Sequence, residues 1–324
     1  MKEKIRIGIV GYGNLGRGVE LGIARQEDME LLAIFTRRDP ASISGQLKES
    51  KLLSIGEVDR FSKEIDVMIL CGSSDKDLPR QSVKFARQFN TVDSFDIHEE
   101  IPLHYKRVGK VAGAKGHVSV ISVGWDPGLF SLQRIFGQAF FPKGAINTLW
   151  GRGVSQGHSS ALRQVAGVKC GVQYTVPSEK VLEDLRAGRE TDLPGNRWHR
   201  RLCYVVLEEG AKESEVERRI KELEYYFAPY ETEVHFLSEE EFLRDHRGLE
   251  HGGYVLARSE EGDLLEYSLK LKSNPHFTAR VLIAYARAAY RLRQAGAKGA
   301  YTVFDIPPKY LHPAGDEFLR GKLL

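Results

Sequence analysis

Three glycines near the start of the chain stand where a dinucleotide would bind. The segment Gly11-Tyr12-Gly13-Asn14-Leu15-Gly16 follows a short apolar run and opens a helical pattern, which is the context that the G-x-G-x-x-G fingerprint requires. The first glycine allows a tight turn, the second lets the backbone approach a pyrophosphate, and the third lets the helix pack closely on the strand. The backbone N–H groups that begin the helix would then face the phosphates.

The residues after the second predicted strand indicate which dinucleotide is bound. Proteins that bind NAD place an acidic residue here for the ribose 2′-hydroxyl, whereas this chain has Thr36-Arg37-Arg38. One hydroxyl and two guanidinium groups suit a 2′-phosphate. The sequence therefore predicts NADP as cofactor, and the alternative is that both arginines belong to a solvated turn.

Two aspartates stand in loops that follow neighbouring predicted strands. Asp96 and Asp126 follow the fourth and fifth predicted strands, in FDIH and GWDPG. Because ligands bind beyond the carboxyl ends of such strands, both loops should line one crevice beside the nicotinamide. The structural alternative is that Asp126 is a turn residue before Pro127 and that Asp96 caps a helix.

Alternating strands and helices must position these loops. The apolar runs that predict strands in the first third of the chain are Ile5–Val10, Leu31–Phe35, Val67–Cys71, Thr91–Ser94 and Val118–Val123, with helical patterns clearest at Leu78–Phe89 and Leu103–Ala114. This alternation predicts an α/β fold with a doubly wound parallel sheet of Rossmann type. Ligands in such sheets bind beyond the carboxyl ends of the strands. By this rule the loop Cys71-Gly72-Ser73-Ser74 joins the candidate cofactor site.

From about residue 130 the strands alternate apolar and polar residues, which predicts an α+β domain with an open, mostly antiparallel sheet. The runs concerned are Gln173–Val176, Leu202–Leu207, Glu233–Leu237, Tyr254–Arg258 and Leu264–Leu271. A long helix is expected from Phe277 to Ala295, followed by a strand-like run, Ala300–Ile306. The expected domains are a dinucleotide-binding domain at 1–125, with 300–324 as candidates to fold back onto it, and a substrate-binding and dimerisation domain at 126–299.

Composition limits the classes of function. The 324 residues suffice for two domains, and a net charge of +3 without a dense Lys/Arg block gives nucleic-acid binding little support. No apolar run approaches the roughly 18 residues that cross a bilayer. Met1-Lys2-Glu3-Lys4 leads straight into a predicted strand, so we expect no secretory signal segment. Cys71, Cys170 and Cys203 lack the spacing of metal ligands, so we expect no metal, reduced thiols and a cytoplasmic location.

Taken together, the motifs resemble the meso-diaminopimelate dehydrogenase family along nearly the whole chain. The segments that carry the resemblance are VGYGNLGRGVE, FTRR, TVDSFDIH, SVGWDPGLFS, WGRGVSQGHS, VQYTVPSE, HRRLCYVV, EHGGYV and LKLKSNPHFTA. The glycine fingerprint is widespread, whereas GWDPG combined with WGRGVSQGHS is far more specific.

The resemblance implies a homodimeric, NADP-dependent oxidoreductase of lysine and cell-wall precursor biosynthesis. It would oxidatively deaminate the D-centre of meso-2,6-diaminopimelate, reversibly, to L-2-amino-6-oxopimelate, ammonia and NADPH. The family match places Asp96 and Asp126 at the reacting amino group, where one carboxylate could take a proton from the ammonium before hydride leaves the α-carbon. The substrate-binding residues that it implies are Trp125, Trp150, Gln156, Gly157, His158, Thr175, Arg201, His251 and Asn274.

These substrate residues divide by the part of the molecule that they would contact. Thr175, Arg201, His251 and Asn274 are expected at the distal L-centre. Gln156 and Gly157 would meet the D-carboxylate, and the two tryptophans would wall the hydrocarbon middle. His158 could carry a proton near pH 7 or be structural, and Asn274 before Pro275 also suits a helix N-cap.

Two segments depart from the family's usual pattern. Ser73-Ser74-Asp75-Lys76-Asp77 stands where many members have Gly-Ser-Ala-Thr-Asp, and Ser159-Ser160 replaces Ser-Asp after the SQGH motif. The second change removes a carboxylate, so a broader-range NADP-dependent D-amino acid dehydrogenase is an alternative. A non-catalytic NADPH-sensing protein is a further alternative, but it would not need paired carboxylates.

Overall fold

The structure is a computed structural model that describes residues 4–224, 226–246, 248 and 250–324, with the backbone alone for Gln156, Gly157 and Ser160. The chain forms two compact units. The first unit comprises residues up to 132 together with 275–324, and the second unit comprises 133–274. The long helix near residue 280, which the sequence boundaries assign to the second domain, therefore belongs to the first unit.

The strands and helices are numbered in chain order. The strands are β1 (Ile5–Val10), β2 (Met29–Thr36), β3 (Leu52–Ser54), β4 (Val67–Leu70), β5 (Asn90–Asp93), β6 (Val118–Val120), β7 (Ala145–Trp150), β8 (Gly153–Val154), β9 (Val168–Pro177), β10 (His199–Leu207), β11 (Thr232–Phe236), β12 (His251–Arg258), β13 (Leu264–Leu271) and β14 (Gly299–Tyr301). The α-helices are α1 (Asn14–Ile23), α2 (Leu78–Phe85), α3 (Ile101–Lys115), α4 (Leu129–Phe140), α5 (Gln156–Leu162), α6 (Glu179–Arg186), α7 (Glu213–Lys221), α8 (Glu239–Asp245), α9 (Asn274–Gln294) and α10 (Asp316–Lys322).

The first unit is built on a parallel sheet with the strand order β14-β6-β5-β4-β1-β2-β3. Neighbouring strands pair in parallel throughout. The chain runs outward from β1 to β3 and then resumes at β4 on the other side of β1, so the order reverses beside β1, as in Rossmann folds. The predicted doubly wound sheet is confirmed.

Burial explains why these segments are strands. All four residues of β4, VMIL, are buried, as expected where helices cover both faces of a parallel sheet.

Helix α1 approaches α9 closely at two glycines one turn apart. A Cβ atom at Gly18 would lie 3.1 Å from Ala279 Cβ, and one at Gly22 would lie 2.4 Å from Ile283 Cδ1. This close contact places α9 in the same apolar core as β1.

Several elements differ from the sequence predictions, among them β3, the run Ala300–Ile306 and the start of α9. β3 was not predicted, because three half-exposed residues are too few to show a period. The predicted strand Ala300–Ile306 ends at Tyr301, since the Thr302 side chain caps a short 3-10 turn and the Asp305 carboxylate accepts from Thr302 N at 2.7 Å. Helix α9 begins at Asn274, three residues earlier than predicted.

The second unit holds its strands in two sheets, β11-β10-β9-β8 and β13-β12-β7. All pairs are antiparallel except β10–β11, so the mostly antiparallel character is confirmed. The chain passes from one sheet to the other between β7 and β8. A Cβ atom at Gly153 would lie 2.5 Å from His251 Cα, so glycine permits the two sheets to meet there.

Among the helices of the described residues, none has the length and apolar character needed to cross a membrane.

Candidate functional site

Five loops of the first unit follow the carboxyl ends of neighbouring strands. Because β6, β5, β4, β1 and β2 are adjacent and parallel, the loops that leave them lie in a row along one edge of the sheet. In that order the loops are 121–128, 94–97, 71–77, 11–13 and 37–39. The candidate cofactor residues and both candidate carboxylates therefore lie along the same edge.

The glycine turn has the geometry of a pyrophosphate cradle. Gly11 has a φ of +93°, and a Cβ atom there would lie 3.0 Å from the carbonyl oxygen of Cys71. A Cβ atom at Gly16 would lie 2.2 Å from Gly11 O, so the turn requires glycine at that point. Gly13 differs, because a Cβ atom there would meet no described heavy atom within 4 Å.

Gly13 also caps α1 without a side-chain hydrogen bond to the first helical turn. The N–H groups of that turn and the open space above Gly13 suit a phosphate group. The turn therefore fits a dinucleotide.

A buried glutamate, which sequence analysis did not single out, holds the segment beside this turn. Glu20 is fully buried on α1 and accepts hydrogen bonds from the hydroxyls of Tyr12 and Ser50. It also accepts from the backbone N of Gln46 at 3.1 Å and of Leu47 at 3.2 Å. Burial, followed by the bond to Glu20, raises the pKa of Tyr12 to about 12. The hydroxyl of Tyr12 is thus a fixed donor and not a proton carrier.

The two predicted 2′-phosphate arginines have different surroundings. The guanidinium of Arg38 donates to the carbonyl of Tyr12, and its backbone N donates to Thr36 Oγ1 at 3.2 Å. Arg37 is exposed and forms an ion pair with Asp77 at 2.8 Å. Asp77 also accepts from Ser73 N at 3.1 Å, so this carboxylate links the arginine turn to the Cys71–Ser74 loop.

The candidate catalytic carboxylates follow adjacent strands, since β5 pairs with β6. Asp96 is exposed, and its backbone N donates to Ser74 Oγ at 3.1 Å. Asp126 is partly exposed and precedes Pro127 through a cis peptide bond. The following 3-10 turn and α3 are capped by Ile97 and Glu100, so Asp96 is not the helix cap that the structural alternative required. Beside Asp126, the buried Trp125 lies edge-on to Phe130 at 5.2 Å.

The second unit contains a buried cation. The antiparallel register of β9 and β10 places Arg201 opposite Thr175, and Arg201 Nη1 donates to Thr175 Oγ1 at 2.6 Å. The guanidinium carbon lies 4.0 Å from the centre of the Tyr230 ring. Arg201 is 7% exposed, and its buried Nε has no hydrogen-bond partner among the described residues. Burial lowers the pKa of Arg201, yet a guanidinium stays charged.

A buried guanidinium that lacks a carboxylate partner is an anion site, because desolvating a charge is costly unless a counter-ion compensates it. Across the described ranges of the chain, no ion pair joins Arg201 to an aspartate or glutamate. Tyr230 was not identified from the sequence, because it lies in a turn outside either strand. The pairing of Arg201 with Thr175 follows from two alternating strands once their register is known.

Two histidines near Arg201 are neutral at pH 7. Burial, followed by the nearby charge of Arg201, lowers the pKa of both His158 and His199 to about 4. His158 Nδ1 lies 2.8 Å from Ser155 Oγ, and His199 Nε2 accepts from Trp150 N at 3.0 Å. A pKa this low does not suit a proton carrier near pH 7, so the structural alternative for His158 is favoured.

The remaining predicted substrate residues have mixed surroundings. The Trp150 ring is 40% exposed and lies 5.5 Å from the ring of His199. His251 Nδ1 accepts from Gly252 N at 2.8 Å, and Asn274 is the first residue of α9. The backbone of Gln156 and Gly157 forms the first turn of α5, but their side-chain contacts lie outside what the structure describes.

Within the described part of the chain, no group of three or more His, Cys, Asp or Glu side chains could hold a metal ion. Cys71, Cys170 and Cys203 are unpaired, and burial raises the pKa of Cys203 to about 12.

A Rossmann-type sheet with a dinucleotide cradle, and with two carboxylates at neighbouring strand ends, defines a pyridine-nucleotide-dependent oxidoreductase. Residues 124–273 match the sequence model of the diaminopimelic acid dehydrogenase C-terminal domain. The chain is 53% identical over 326 residues to meso-diaminopimelate D-dehydrogenase of Ureibacillus thermosphaericus, covering 99% of this chain and 100% of that protein. The chain belongs to the meso-diaminopimelate D-dehydrogenase family, which confirms the resemblance seen in its motifs.

Solved structures agree with this assignment. The Corynebacterium glutamicum diaminopimelate dehydrogenase in complex with diaminopimelate is 42% identical, with a TM-score of 0.92 and 99% coverage of both chains. An engineered D-amino acid dehydrogenase bound to NADP⁺ is 41% identical, with a TM-score of 0.87 and coverage of 99% of this chain and 100% of that chain.

Proposed function

We propose that this protein catalyses the NADP-dependent oxidative deamination of the D-centre of meso-2,6-diaminopimelate. The products are L-2-amino-6-oxopimelate, ammonia and NADPH, and the reverse reaction is a reductive amination. Membership of the family supports the reaction. The observation in this chain that carries the proposal is Arg201, a buried cation that a substrate carboxylate would neutralise.

We propose that the cofactor binds to the loops at the carboxyl ends of the parallel strands in the first unit. The turn from Gly11 to Gly16 would hold the pyrophosphate, and Thr36, Arg37 and Arg38 would hold the 2′-phosphate. The loop Cys71-Gly72-Ser73-Ser74 would border the cofactor on its other side. When bound, NADP supplies the hydride acceptor.

Asp96 and Asp126 would bind the ammonium group of the D-centre. One carboxylate takes a proton from this group, and the α-carbon of the resulting amine then loses hydride, so that the carbon–nitrogen bond becomes the double bond of an iminium ion. Water adds to the iminium carbon, the carbon–nitrogen bond breaks, and the oxo acid and ammonia leave. No covalent bond between protein and substrate is needed, because the protein contributes orientation and charge.

Arg201 and Thr175 would bind the carboxylate at the distal L-centre, with His251 and Asn274 completing that end. A guanidinium and a hydroxyl both donate to carboxylate oxygens, and the bond of Arg201 to Thr175 holds the two donors together. Trp125 and Trp150 would pack on the hydrocarbon chain of the substrate. Gln156, Gly157 and His158 would meet the D-carboxylate, with His158 neutral.

The proposed form of the enzyme is a homodimer in the cytoplasm. Unpaired cysteines and the use of NADP in amino-acid biosynthesis support that location. Light scattering coupled to size-exclusion chromatography tests the dimer, and a monomer mass at micromolar concentration would exclude it.

An assay for NADPH absorbance tests the reaction with meso-, LL- and DD-diaminopimelate and D-alanine, each with NADP and with NAD. We expect turnover of the meso isomer with NADP and none of the LL isomer. Equal kcat/KM for D-alanine would favour the broader D-amino acid dehydrogenase. If no substrate turns over while NADPH still binds in a fluorescence titration, the sensing alternative gains and the enzymatic proposal fails.

A further inference from the structure

A third aspartate, which the proposed mechanism does not use, lies at the end of β5. Asp93 is 1% exposed, and its carboxylate receives four polar contacts. Oδ2 accepts from Ser82 Oγ at 2.7 Å and lies 3.0 Å from His104 Nε2. Oδ1 accepts from Phe95 N at 3.1 Å and from Ser122 N at 3.0 Å. All of these groups belong to the first unit.

The two backbone donors belong to the loops that carry the candidate catalytic carboxylates. Phe95 immediately precedes Asp96, and Ser122 is the second residue of the 121–128 loop that contains Asp126. Ser122 has a φ of +56°, a left-handed conformation that is uncommon for residues other than glycine. The carbonyl of Asp93 also accepts from Val123 N at 2.8 Å. One residue therefore holds the start of both loops.

Two side chains hold Asp93 in turn. His104, on α3, is 4% exposed, and its ring stacks on the Phe95 ring with centroids 4.2 Å apart. Burial raises the pKa of Asp93, but the hydrogen bonds from His104, Ser82 and Ser122 outweigh it and leave that pKa below its usual value. An ionised carboxylate is an acceptor only, which four donors require.

We propose that Asp93 is a positioning residue that fixes the loops of Asp96 and Asp126 in the geometry needed for deamination, with His104 as its support. The inference rests on the proposed function for its catalytic part. Asp93 is too buried to touch substrate, so it would act only through the two loops. A buried hydrogen-bonded pair with no such role could be replaced by apolar residues at little cost. Replacing Asp93 by an apolar residue would instead leave the backbone N–H groups of Phe95 and Ser122 without an acceptor.

The first test is the substitution His104→Phe, which keeps a ring against Phe95 and removes the donor to Asp93. We expect kcat with meso-diaminopimelate to fall about tenfold or more, because small misplacements of reacting groups are costly. The KM for NADP should stay within about twofold, because the cofactor turn is not held by Asp93. His104→Gln, which keeps an N–H donor, should recover most of kcat.

Thr91→Val is the matched control. It removes the 2.8 Å hydrogen bond from Thr91 to Ser119, which joins the same two strands within the core. We expect it to lower the melting temperature without lowering kcat at 25 °C. If His104→Phe instead behaves like this control, the positioning role is wrong. Should His104→Phe fail to fold, Ser82→Ala takes its place, since it also removes one donor to Asp93.

Hydrogen–deuterium exchange separates this inference from the proposed function, because it needs no substrate. We expect the amides of Phe95 and Ser122 to exchange faster in His104→Phe than in the wild type, and to be unchanged in Thr91→Val. Unchanged exchange in His104→Phe overturns the inference whatever the activity. If these amides exchange faster in His104→Phe but the wild-type protein does not oxidise meso-diaminopimelate, the proposed function is refuted and the anchoring of the loops stands.

Discussion

Arg201 shows how much chemistry a single buried side chain can indicate. Its neighbours are a threonine hydroxyl, an aromatic ring and two neutral histidines. No group in this set neutralises a guanidinium, so the free energy of the apo protein is raised by an uncompensated charge. A bound carboxylate would remove that cost. Relief of this desolvation cost in the apo protein would therefore contribute to the free energy of substrate binding.

At this scale the first prediction is Arg201→Met. We expect the KM for meso-diaminopimelate to rise about 30- to 100-fold, because a charge-assisted hydrogen bond to a carboxylate contributes roughly 2–3 kcal/mol. The melting temperature should hold or rise, since a buried charge is removed. Steady-state kinetics and thermal melts are the measurements. The neighbouring Arg200 is exposed and pairs with Glu233 at 3.0 Å, so Arg200→Met should leave KM unchanged; a similar KM for both variants would contradict the role of Arg201.

The second prediction concerns selection of the cofactor. Replacing Arg37 and Arg38 by alanine should raise the KM for NADP far more than the KM for NAD, because only NADP carries the 2′-phosphate. Initial rates with each cofactor measure the ratio. Arg60→Ala, at an exposed arginine that pairs with Glu57, serves as control. Equal effects on both cofactors would show that the arginines do not bind the 2′-phosphate.

The sequence identifies functional residues whose role depends on their neighbours along the chain, and it misses those whose contacts come from distant segments. The glycine turn and the arginines after β2 are recognisable because a few consecutive residues carry the geometry. Asp93 and Tyr230 were not found, since their contacts come from distant segments and neither residue type is unusual at its position. The pairing of Arg37 with Asp77 was missed for the same reason.

At the scale of elements, the turn between β1 and α1 combines two glycine requirements that can be separated. Gly16 is needed by the fold, since a Cβ atom would collide with a backbone oxygen at 2.2 Å. Gly13 has an ordinary extended conformation, with φ −91° and ψ −158°, and open space beside it. Glycine at position 13 is therefore required by the bound ligand and not by the fold.

The third prediction follows from this difference. Gly16→Ala should lower both the melting temperature and the affinity for NADPH, because the β1–α1 turn must open to admit the methyl group. Gly13→Ala should keep the melting temperature of the apo protein within about 2 °C, while weakening NADPH binding at least tenfold by filling the phosphate space. Thermal melts and fluorescence titrations distinguish the two. A stable Gly13→Ala protein with wild-type affinity would refute the cradle.

The elements themselves were largely predictable because their apolar runs are long and bounded by turns. The strands β1, β2, β4 and β13 lie within two residues of their predicted ends. The failure at Ala300–Ile306 has a local cause, since the side chains of Thr302 and Asp305 form a capping box. The split of the second unit's strands into two sheets depends on close backbone contact at Gly153, which no strand period reveals.

For the whole molecule, the neutral histidines His158 and His199 make stability depend on pH. Their folded pKa values of about 4 lie below the unfolded value near 6.5. Between these values the unfolded chain binds more protons, so the free energy of unfolding rises with pH in this window. Stability is therefore retained above about pH 6.5 and lost as pH falls toward 4.

The fourth prediction tests this dependence by urea unfolding at pH 7.5 and pH 5. We expect His199→Gln, whose side-chain oxygen can still accept from Trp150 N, to lose about 2 kcal/mol less than the wild type between these pH values. His235→Gln, at a histidine that is 46% exposed, should behave like the wild type. Equal losses in all three proteins would show that His199 does not contribute.

The return of residues 275–324 to the first unit has a consequence for how the chain is made. Helix α9 shares a core with β1, and β14 pairs with β6, so part of the cofactor-binding unit is synthesised only after the whole second unit. On the ribosome, we expect residues 133–274 to complete their own contacts first. Helix α9, which packs on α1 directly after the glycine turn, is synthesised only later. A truncated chain ending at residue 274 should bind no NADPH; measurable binding by that fragment would contradict this order of assembly.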